Sequence, residues 1–532
     1  MGTLRRIFQA LDRIVTEHPD AVALVALVVS FVLRFHEAAQ TYLDPDEVHY
    51  FQMSIPSGIR TLYQSALDTH HPALYIVLMH WVGKVSEHEM ALRSIAIAAG
   101  TVFPWFLYRW LALVWNRLAG LLALLLVAFA PHMISVSAQA RGYTLAFLGI
   151  CACLYFQERA LRESSSRWMM VSSAALCLGI ISEYFVAFFA AAAGIGFLLR
   201  AWKQPPPRRL WLTWAAGQAC GVALYGFLFV TQILPMLSSP MGEAENQGWL
   251  RGAFPWSGDN LAVFLAAATV KQFAWLFASI SFGTLMILPF LAGLWFLWKG
   301  QSPTERLPSR LIIALTGTML VLAAAAAVAH FHPFGRSRHT GFLGIFIAVV
   351  IAIALERLLR RGPGIVLAAA LVLLPAWQLA ATEDQNNIPL VRHQRDQMLA
   401  AIEHLRARIP AGAAILMDRH TRCLVDYYAG PRGSGRVPRD QQALEWASGD
   451  YRLVSYLYTY RSIGQVAEDL RQFRVDYRVP SDAAVWLIEG GWDLFAYRNT
   501  PQERAFRASM ENFGDVLWIV RAPPELSARA AP

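Results

Sequence analysis

The stretch LDPDEVHY gathers three carboxylates, Asp44, Asp46 and Glu47, directly after the apolar run AVALVALVVSFVLRF. Neighbouring acids repel one another, and neutral polar residues would solvate a loop without that cost. One carboxylate of such a cluster, kept ionised, has the chemistry of a general base. Acids at a helix exit also serve plain structural ends, and composition alone does not separate the two uses. Pro45 disfavours helix at Asp44 and fixes its own φ, so the acids are expected in a bent segment at the membrane surface.

Four further groups carry chemistry. In DTHHPALYIVLMH, His70 and His71 introduce a short apolar stretch that holds Tyr75. Two adjacent imidazoles without helical spacing make a weak metal signature, and interfacial hydrogen bonding is the plainer role. In SVSAQARGYTLAF, Arg141 and Tyr143 open an apolar segment. A lone arginine there can snorkel to water, but a guanidinium also grips phosphate in a planar, bidentate way. The segment HFHPFGRSRHTGFL brings His330, His332, Arg336, Arg338 and His339 together, and GIISEYFVAFF sets Glu183 and Tyr184 between two apolar runs. An acid at such a boundary is costly unless wet or paired.

The elements that must position these residues are membrane spans. The 532-residue chain is 56% hydrophobic and 16% charged, too apolar for an ordinary soluble protein. Its net charge of +9 falls mainly in short segments between apolar runs, as the positive-inside rule expects, so no nucleic-acid partner is implied. Spans are expected at 19–36, 89–111, 117–134, 141–157, 168–182, 184–200, 211–233, 272–298, 310–330, 340–356 and 363–381, about eleven in all. The first is expected to be uncleaved. Segment 72–84 is too short to cross, and reading it as an interfacial helix places the basic loops on one side, with the N-terminus in the cytoplasm. Residues 37–88, 135–140, the turn at 183 and the loop 331–339 then face outward, where the basic cluster of that last loop breaks the charge trend and an anionic ligand supplies the cause.

Two domains follow: residues 1–382 in the membrane and an extracytoplasmic α/β domain over 383–532. In the second, the apolar stretches AAILMD, RLVSYLYTY, AAVWLIEG and VLWIVRA read as strands, against amphipathic helices at 393–408 and 462–473. No glycine-rich phosphate loop or nucleophile elbow occurs there, and its expected job is to cap or gate the external face. The five cysteines suggest neither a disulfide framework nor a thiolate metal site. No cofactor is indicated; a divalent metal stays open as an alternative that no residue spacing points to.

Taken together, these pieces resemble the glycosyltransferase C superfamily, in the branch of dolichyl-phosphate-mannose protein mannosyltransferases and bacterial lipid A aminoarabinose transferases. The resemblance is carried by Asp46-Glu47, HPALY at 71–75, ALR at 91–93, ARGY at 140–143 and the loop FGRSRHTGFL; it covers roughly 10–380 and is strongest over 40–145. It implies a polyprenyl-phosphate-linked sugar donor, a glycan, lipid or protein acceptor, and inverting transfer on the outer face of a bacterial inner membrane. Asp46 matches the catalytic acid and would be the base, with Glu47 behind it. Arg141 and Tyr143 match positions near the donor phosphate, and Arg338, His339 and Arg336 would neutralise the leaving lipid phosphate. His70, His71, Tyr75, Glu183 and Tyr184 would contact substrate. Three departures stand out: Ala73 replaces a proline, Glu183-Tyr184 stands where many relatives carry His-Tyr, and the extra Asp44 leaves open which aspartate is the base. The alternative is a lipid-sugar transporter or flippase. Such a protein is expected to show paired repeats and interrupted helices at the midplane, whereas the polar residues here gather at one face.

Overall fold

Long runs of Leu, Ala, Val and Phe can bury their side chains only against one another or in lipid, and at that depth the helix satisfies every backbone group within the segment. The computed structural model describes residues 17–56, 58–68, 72–237, 250–299, 303–335, 338–359, 395–410, 413–429, 445–448, 451–455, 462–480, 485–490, 500–513 and 517–522. Contacts divide the chain into two compact units: Met1–Glu37, Ala66–Tyr75 and Arg93–Asn386 in one, Ala38–Ser65, Ile76–Leu92 and Asn387–Pro532 in the other.

Among the described residues eight helices are long and apolar enough to cross a membrane, or nine if one bent pair counts as a span. Seven of them, Pro19–Gln40, Glu89–Val114, Tyr143–Glu163, Val186–Lys203, Arg208–Leu237, Arg306–Val328 and Arg338–Leu358, lie where the hydropathy predicts them. Ser166–Ser182 and Ala73–Gly83 are shorter apolar helices. The expected span 363–381 lies outside the described residues.

Two expected spans are interrupted. Residues 272–298 form two elements, the end of the Leu261–Leu276 helix and the Ile280–Lys299 helix. Between them Ala278 takes a left-handed φ of 51°, and the Phe277 and Ser279 N–H groups bond back to Phe273 and Ala274, a helix-terminating pattern. Ser279 Oγ then accepts from the Phe282 N–H at 3.2 Å and caps the next helix. A Cβ at Gly283 would stand 2.6 Å from the backbone of Ala274, so only glycine lets the second helix turn back this closely. The hydropathy runs unbroken across the turn because its residues are themselves apolar.

The expected span 117–134 is also broken. Arg117–Phe129 and Pro131–Ser137 meet at 63°, because Pro131 has no N–H to continue the ladder and Ala130 is extended. The carbonyl of Ala128, freed by this break, accepts from Arg34 Nη1 at 2.9 Å; the same nitrogen donates to the Ser30 carbonyl at 3.2 Å, and the Arg34 side chain is fully buried. A cation at a helix C-terminus is favourable, more so away from water. Arg34→Met is expected to leave that carbonyl only the long 3.4 Å bond from Ser30 Oγ and to destabilise the protein by about 1–3 kcal/mol. Thermal unfolding in detergent checks this, with Arg34→Lys losing less; an unchanged midpoint for the methionine variant contradicts it.

In the Arg338–Leu358 span 89% of the most apolar 18-residue window is buried, whereas in Arg208–Leu237 only 22% is. A helix apolar all round belongs at the centre of a bundle. Its start is fixed by Gln272, whose Nε2 donates to the Thr340 carbonyl at 3.1 Å and whose Oε1 accepts from Thr340 Oγ1 at 2.7 Å. The central helix therefore begins directly after Arg338 and His339, in a short 3-10 turn, Arg338–Thr340.

The other unit is built on a mixed six-stranded sheet of order β2-β3-β1-β4-β6-β5, with β1 Ala414–Leu416, β2 Glu445–Ser448, β3 Tyr451–Val454, β4 Val485–Gly490, β5 Glu511–Phe513 and β6 Leu517–Ala522. β1 runs parallel to β3 and β4, and the remaining pairs are antiparallel. The four predicted strand segments contain β1, β4 and β6 and overlap β3, and the predicted helices correspond to Arg395–Arg408 and Ile463–Asp476. β2, β5 and the Arg419–Ala429 helix were not anticipated. In this unit the Arg419–Ala429 helix packs on the Pro45–Ser54 helix: Gln52 Nε2 donates to Asp426 at 3.3 Å, Cys423 Sγ donates to Gln52 Oε1 at 3.2 Å, and Phe51 meets Tyr427 edge-on.

Candidate functional site

Each unit holds one group of the residues singled out by sequence, and each group is built differently. In the sheet-bearing unit, the acidic stretch begins the Pro45–Ser54 helix, with Pro45 in its first turn and Asp44 as the extended N-cap. Asp44 Oδ1 accepts from the Glu47 N–H and Glu47 Oε2 accepts from the Asp44 N–H, both at 2.9 Å. This is a capping box. It accounts structurally for two of the three acids, both buried, and leaves Asp46 half-buried in the first turn. Burial, then Asp44 and Glu47, push the Tyr42 phenol well above its ordinary range.

His49, one turn beyond Asp46, has its imidazole pushed down to about 4 by burial. Asp46 opposes that shift, while His420, Arg422 and Arg419 of the facing helix reinforce it. At neutral pH His49 is therefore uncharged beside Asp46. The unfolded chain takes up a proton near 6.5 and the folded one only near 4, so stability is complete above 6.5 and declines as pH falls through that window. The thermal midpoint is expected to be lower at pH 5 than at pH 7, and His49→Gln is expected to shrink the difference. An undiminished difference in the variant contradicts the assignment.

In the helical unit, the short turn after Pro131–Ser137 delivers Arg141, Gly142 and Tyr143 to the start of the Tyr143–Glu163 helix. The buried Arg141 guanidinium lies over the Tyr143 ring, 5.2 Å from its centre. Tyr143 Oη stands 3.3 Å from His339 Nδ1, so the start of this helix meets the start of the central helix. His332 packs edge-on to His339 at 6.3 Å between ring centres, and burial lowers its imidazole to about 4. Glu183 is extended at the end of the Ser166–Ser182 helix. A Cβ on Gly142 would meet the Ser182 carbonyl at 2.6 Å and Glu183 Oε1 at 3.3 Å, so the glycine is what lets Glu183 lie against the backbone between Arg141 and Tyr143. Burial raises the Glu183 carboxyl to about 8 against the opposing charges of Arg141 and Arg338.

This unit thus brings Arg141, Tyr143, Glu183, Arg338 and His339 into one neighbourhood. Tyr184 points its hydroxyl instead at Gln232, and Tyr75 is buried. His70, His71 and Arg336 lie outside the described residues. A polar face that sequence reading missed lies just ahead of Arg141: His132, Ser135 and Gln139 recur at helical spacing, all buried, with the Trp275 ring 4.9 Å from His132. Ser135 Oγ, both amide atoms of Gln139 and Trp275 Nε1 have no hydrogen-bond partner among the described residues. The signal was the spacing of polar residues inside an apolar run. Among the described residues no three His, Cys, Asp or Glu side chains are grouped to hold a metal ion.

Residues 70–233 match the family model described as dolichyl-phosphate-mannose-protein mannosyltransferase. Among solved structures, ArnT from Cupriavidus metallidurans in the apo state aligns over 97% of this chain and 99% of its own, at 12% identity and a TM-score of 0.55. ArnT bound to undecaprenyl phosphate aligns over 94% of this chain and 98% of its own, at 12% identity and a TM-score of 0.54. The archaeal oligosaccharyltransferase AglB from Archaeoglobus fulgidus, in complex with an inhibitory peptide and a dolichol-phosphate, aligns over 78% of this chain at 12% identity and a TM-score of 0.47; the chain spans 64% of AglB's length. No curated protein matches the sequence. The chain is a multi-pass membrane protein with an ArnT-like fold, and its residues 70–233 resemble the dolichyl-phosphate-mannose-protein mannosyltransferase family.

Proposed function

We propose that this protein is an integral-membrane glycosyltransferase that moves a sugar, with inversion, from a polyprenyl-phosphate donor to a hydroxyl acceptor on the extracytoplasmic face of a bacterial inner membrane. The match over 70–233 and the fold shared with ArnT support the reaction class, and one ArnT structure holds undecaprenyl phosphate. The observation that carries the reading is the grouping of the buried Arg141 and Tyr143 with the half-buried His339 at the starts of two helices, with Arg338 next to His339.

A lipid phosphate presents its sugar at headgroup level and is a competent leaving group once its charge is stabilised. Two guanidiniums and an imidazole supply that stabilisation, Arg141 and Arg338 by charge-assisted hydrogen bonds to phosphate oxygens. Asp46 takes the proton of the acceptor hydroxyl as it attacks the anomeric carbon. Asp44 and Glu47 hold each other in the capping box, which supports Asp46 as the base. His70, His71, Tyr75 and Tyr184 are assigned to substrate contacts and Arg336 to the phosphate by the sequence resemblance alone.

The test is transfer by the purified protein, given polyprenyl-phosphate sugars and candidate acceptors, read as release of polyprenyl phosphate. Mass spectrometry of envelope glycans and lipids from cells with and without the protein identifies the product. A protein that releases no polyprenyl phosphate from any sugar donor, while cells lacking it have an unchanged envelope, would overturn the proposal.

A further inference from the structure

Glu183 is an acid with two arginines as its electrostatic neighbours and no ion pair to either. Its side chain is 9% exposed, and among the described residues it has no hydrogen-bond or salt-bridge partner. An ionised carboxylate this buried would be expected to pair with a guanidinium, because an unpaired buried charge is strongly disfavoured. The geometry at Gly142 holds Glu183 Oε1 instead against the backbone between Arg141 and Tyr143. Left unpaired, it does not cancel the charge the arginines offer to an anion.

We propose that Glu183 is the general acid that hands its proton to the departing lipid phosphate. The proposal rests on the glycosyl-transfer reading above and adds a second proton transfer to it. In the donor, the phosphodiester carries one negative charge. As the acceptor oxygen bonds to the anomeric carbon, the bond from that carbon to the phosphate oxygen breaks and its electron pair stays on the oxygen. The proton of Glu183 moves to that oxygen, so the lipid phosphate departs as a monoanion. Glu183 is left as a carboxylate able to pair with Arg141 and Arg338. The proton of the acceptor hydroxyl goes to Asp46 and on to water, and water reprotonates Glu183 after the product leaves.

The protonation state suits this role. Burial holds the carboxyl at about 8, so it carries its proton at neutral pH. The charged groups that act on it are Arg141 at the start of one helix and Arg338 in the turn before the central helix; Tyr143 and His339 are the titratable groups beside those two in the same elements, and His332 packs against His339. Those whose charges it feels, Arg141 and Arg338, both lower its pKa, and burial outweighs them.

The experiment is a single-turnover pH profile of polyprenyl phosphate release by the full-length protein at saturating donor. The wild-type rate is expected to fall as pH rises through about 8, where Glu183 loses its proton. Glu183→Gln is expected to lose that alkaline limb and to turn over about 100-fold more slowly at pH 7, with donor affinity within about threefold of the wild type. If the limb survives in Glu183→Gln, or donor affinity falls while the rate does not, Glu183 is not the acid. Should the glutamine variant fail to fold, Glu183→Asp replaces it, and an unchanged profile there overturns the proposal. A wild type that releases no polyprenyl phosphate at any pH fails earlier, at the reaction class itself, and takes this step with it.

Discussion

Asp46→Asn is expected to reduce the transfer rate by about 100- to 10,000-fold, the range removed with a general base, while donor affinity stays within about threefold. Asparagine keeps the size and hydrogen-bonding reach of the side chain but cannot take the acceptor's proton. The measurement is the turnover rate of purified variant protein beside the donor's dissociation constant. The neighbouring acids provide the contrast. Asp44→Asn and Glu47→Gln disturb the capping box, so their main effect is expected on stability, about 0.5–2 kcal/mol. A variant at position 46 that transfers sugar at the normal rate, or at 44 that loses catalysis without losing stability, would move the base from Asp46 to Asp44.

Arg141→Ala is expected to weaken donor binding by about 10- to 100-fold, the loss of a charge-assisted hydrogen bond worth about 1.5–3 kcal/mol. The loss should be confined to ligands that carry phosphate. Titration with polyprenyl phosphate is expected to show it and titration with the uncharged polyprenol is not. Arg141→Lys is expected to recover only part, because a point charge replaces a planar fork and stacks less well over the Tyr143 ring. Tyr143→Phe removes the hydroxyl that meets His339 and tests whether that contact orients the two helix starts. Equal weakening of donor and acceptor by Arg141→Ala would assign the arginine to the architecture and not to the phosphate.

These two expectations differ in what they owe to the structure. The clustering of acids was visible in the composition; that Asp44 and Glu47 serve each other was not drawn from it, although an Asp followed three residues later by Glu is a capping pattern. The grouping around Arg141 was visible only as separate pieces. Glu183 was singled out because an acid between apolar runs is unusual, and its position against Gly142 came from the structure alone.

What the chain determined by itself is what depends on neighbours in sequence. Transfer from water to lipid is summed along a contiguous segment, so seven of the spans, the short Ala73–Gly83 helix and four strands of the sheet could be read directly. The same sum hid the turn at Ala278 and the bend at Pro131, because apolar residues continue through both while dihedral angles and missing donors do the breaking. Tertiary structure decided which chemistry meets which. Tyr143 and His339 are 196 residues apart, and they meet because a central helix, apolar on every side, starts where Gln272 holds Thr340. No local pattern encodes that contact; it follows from how the helices pack once every apolar face has been covered.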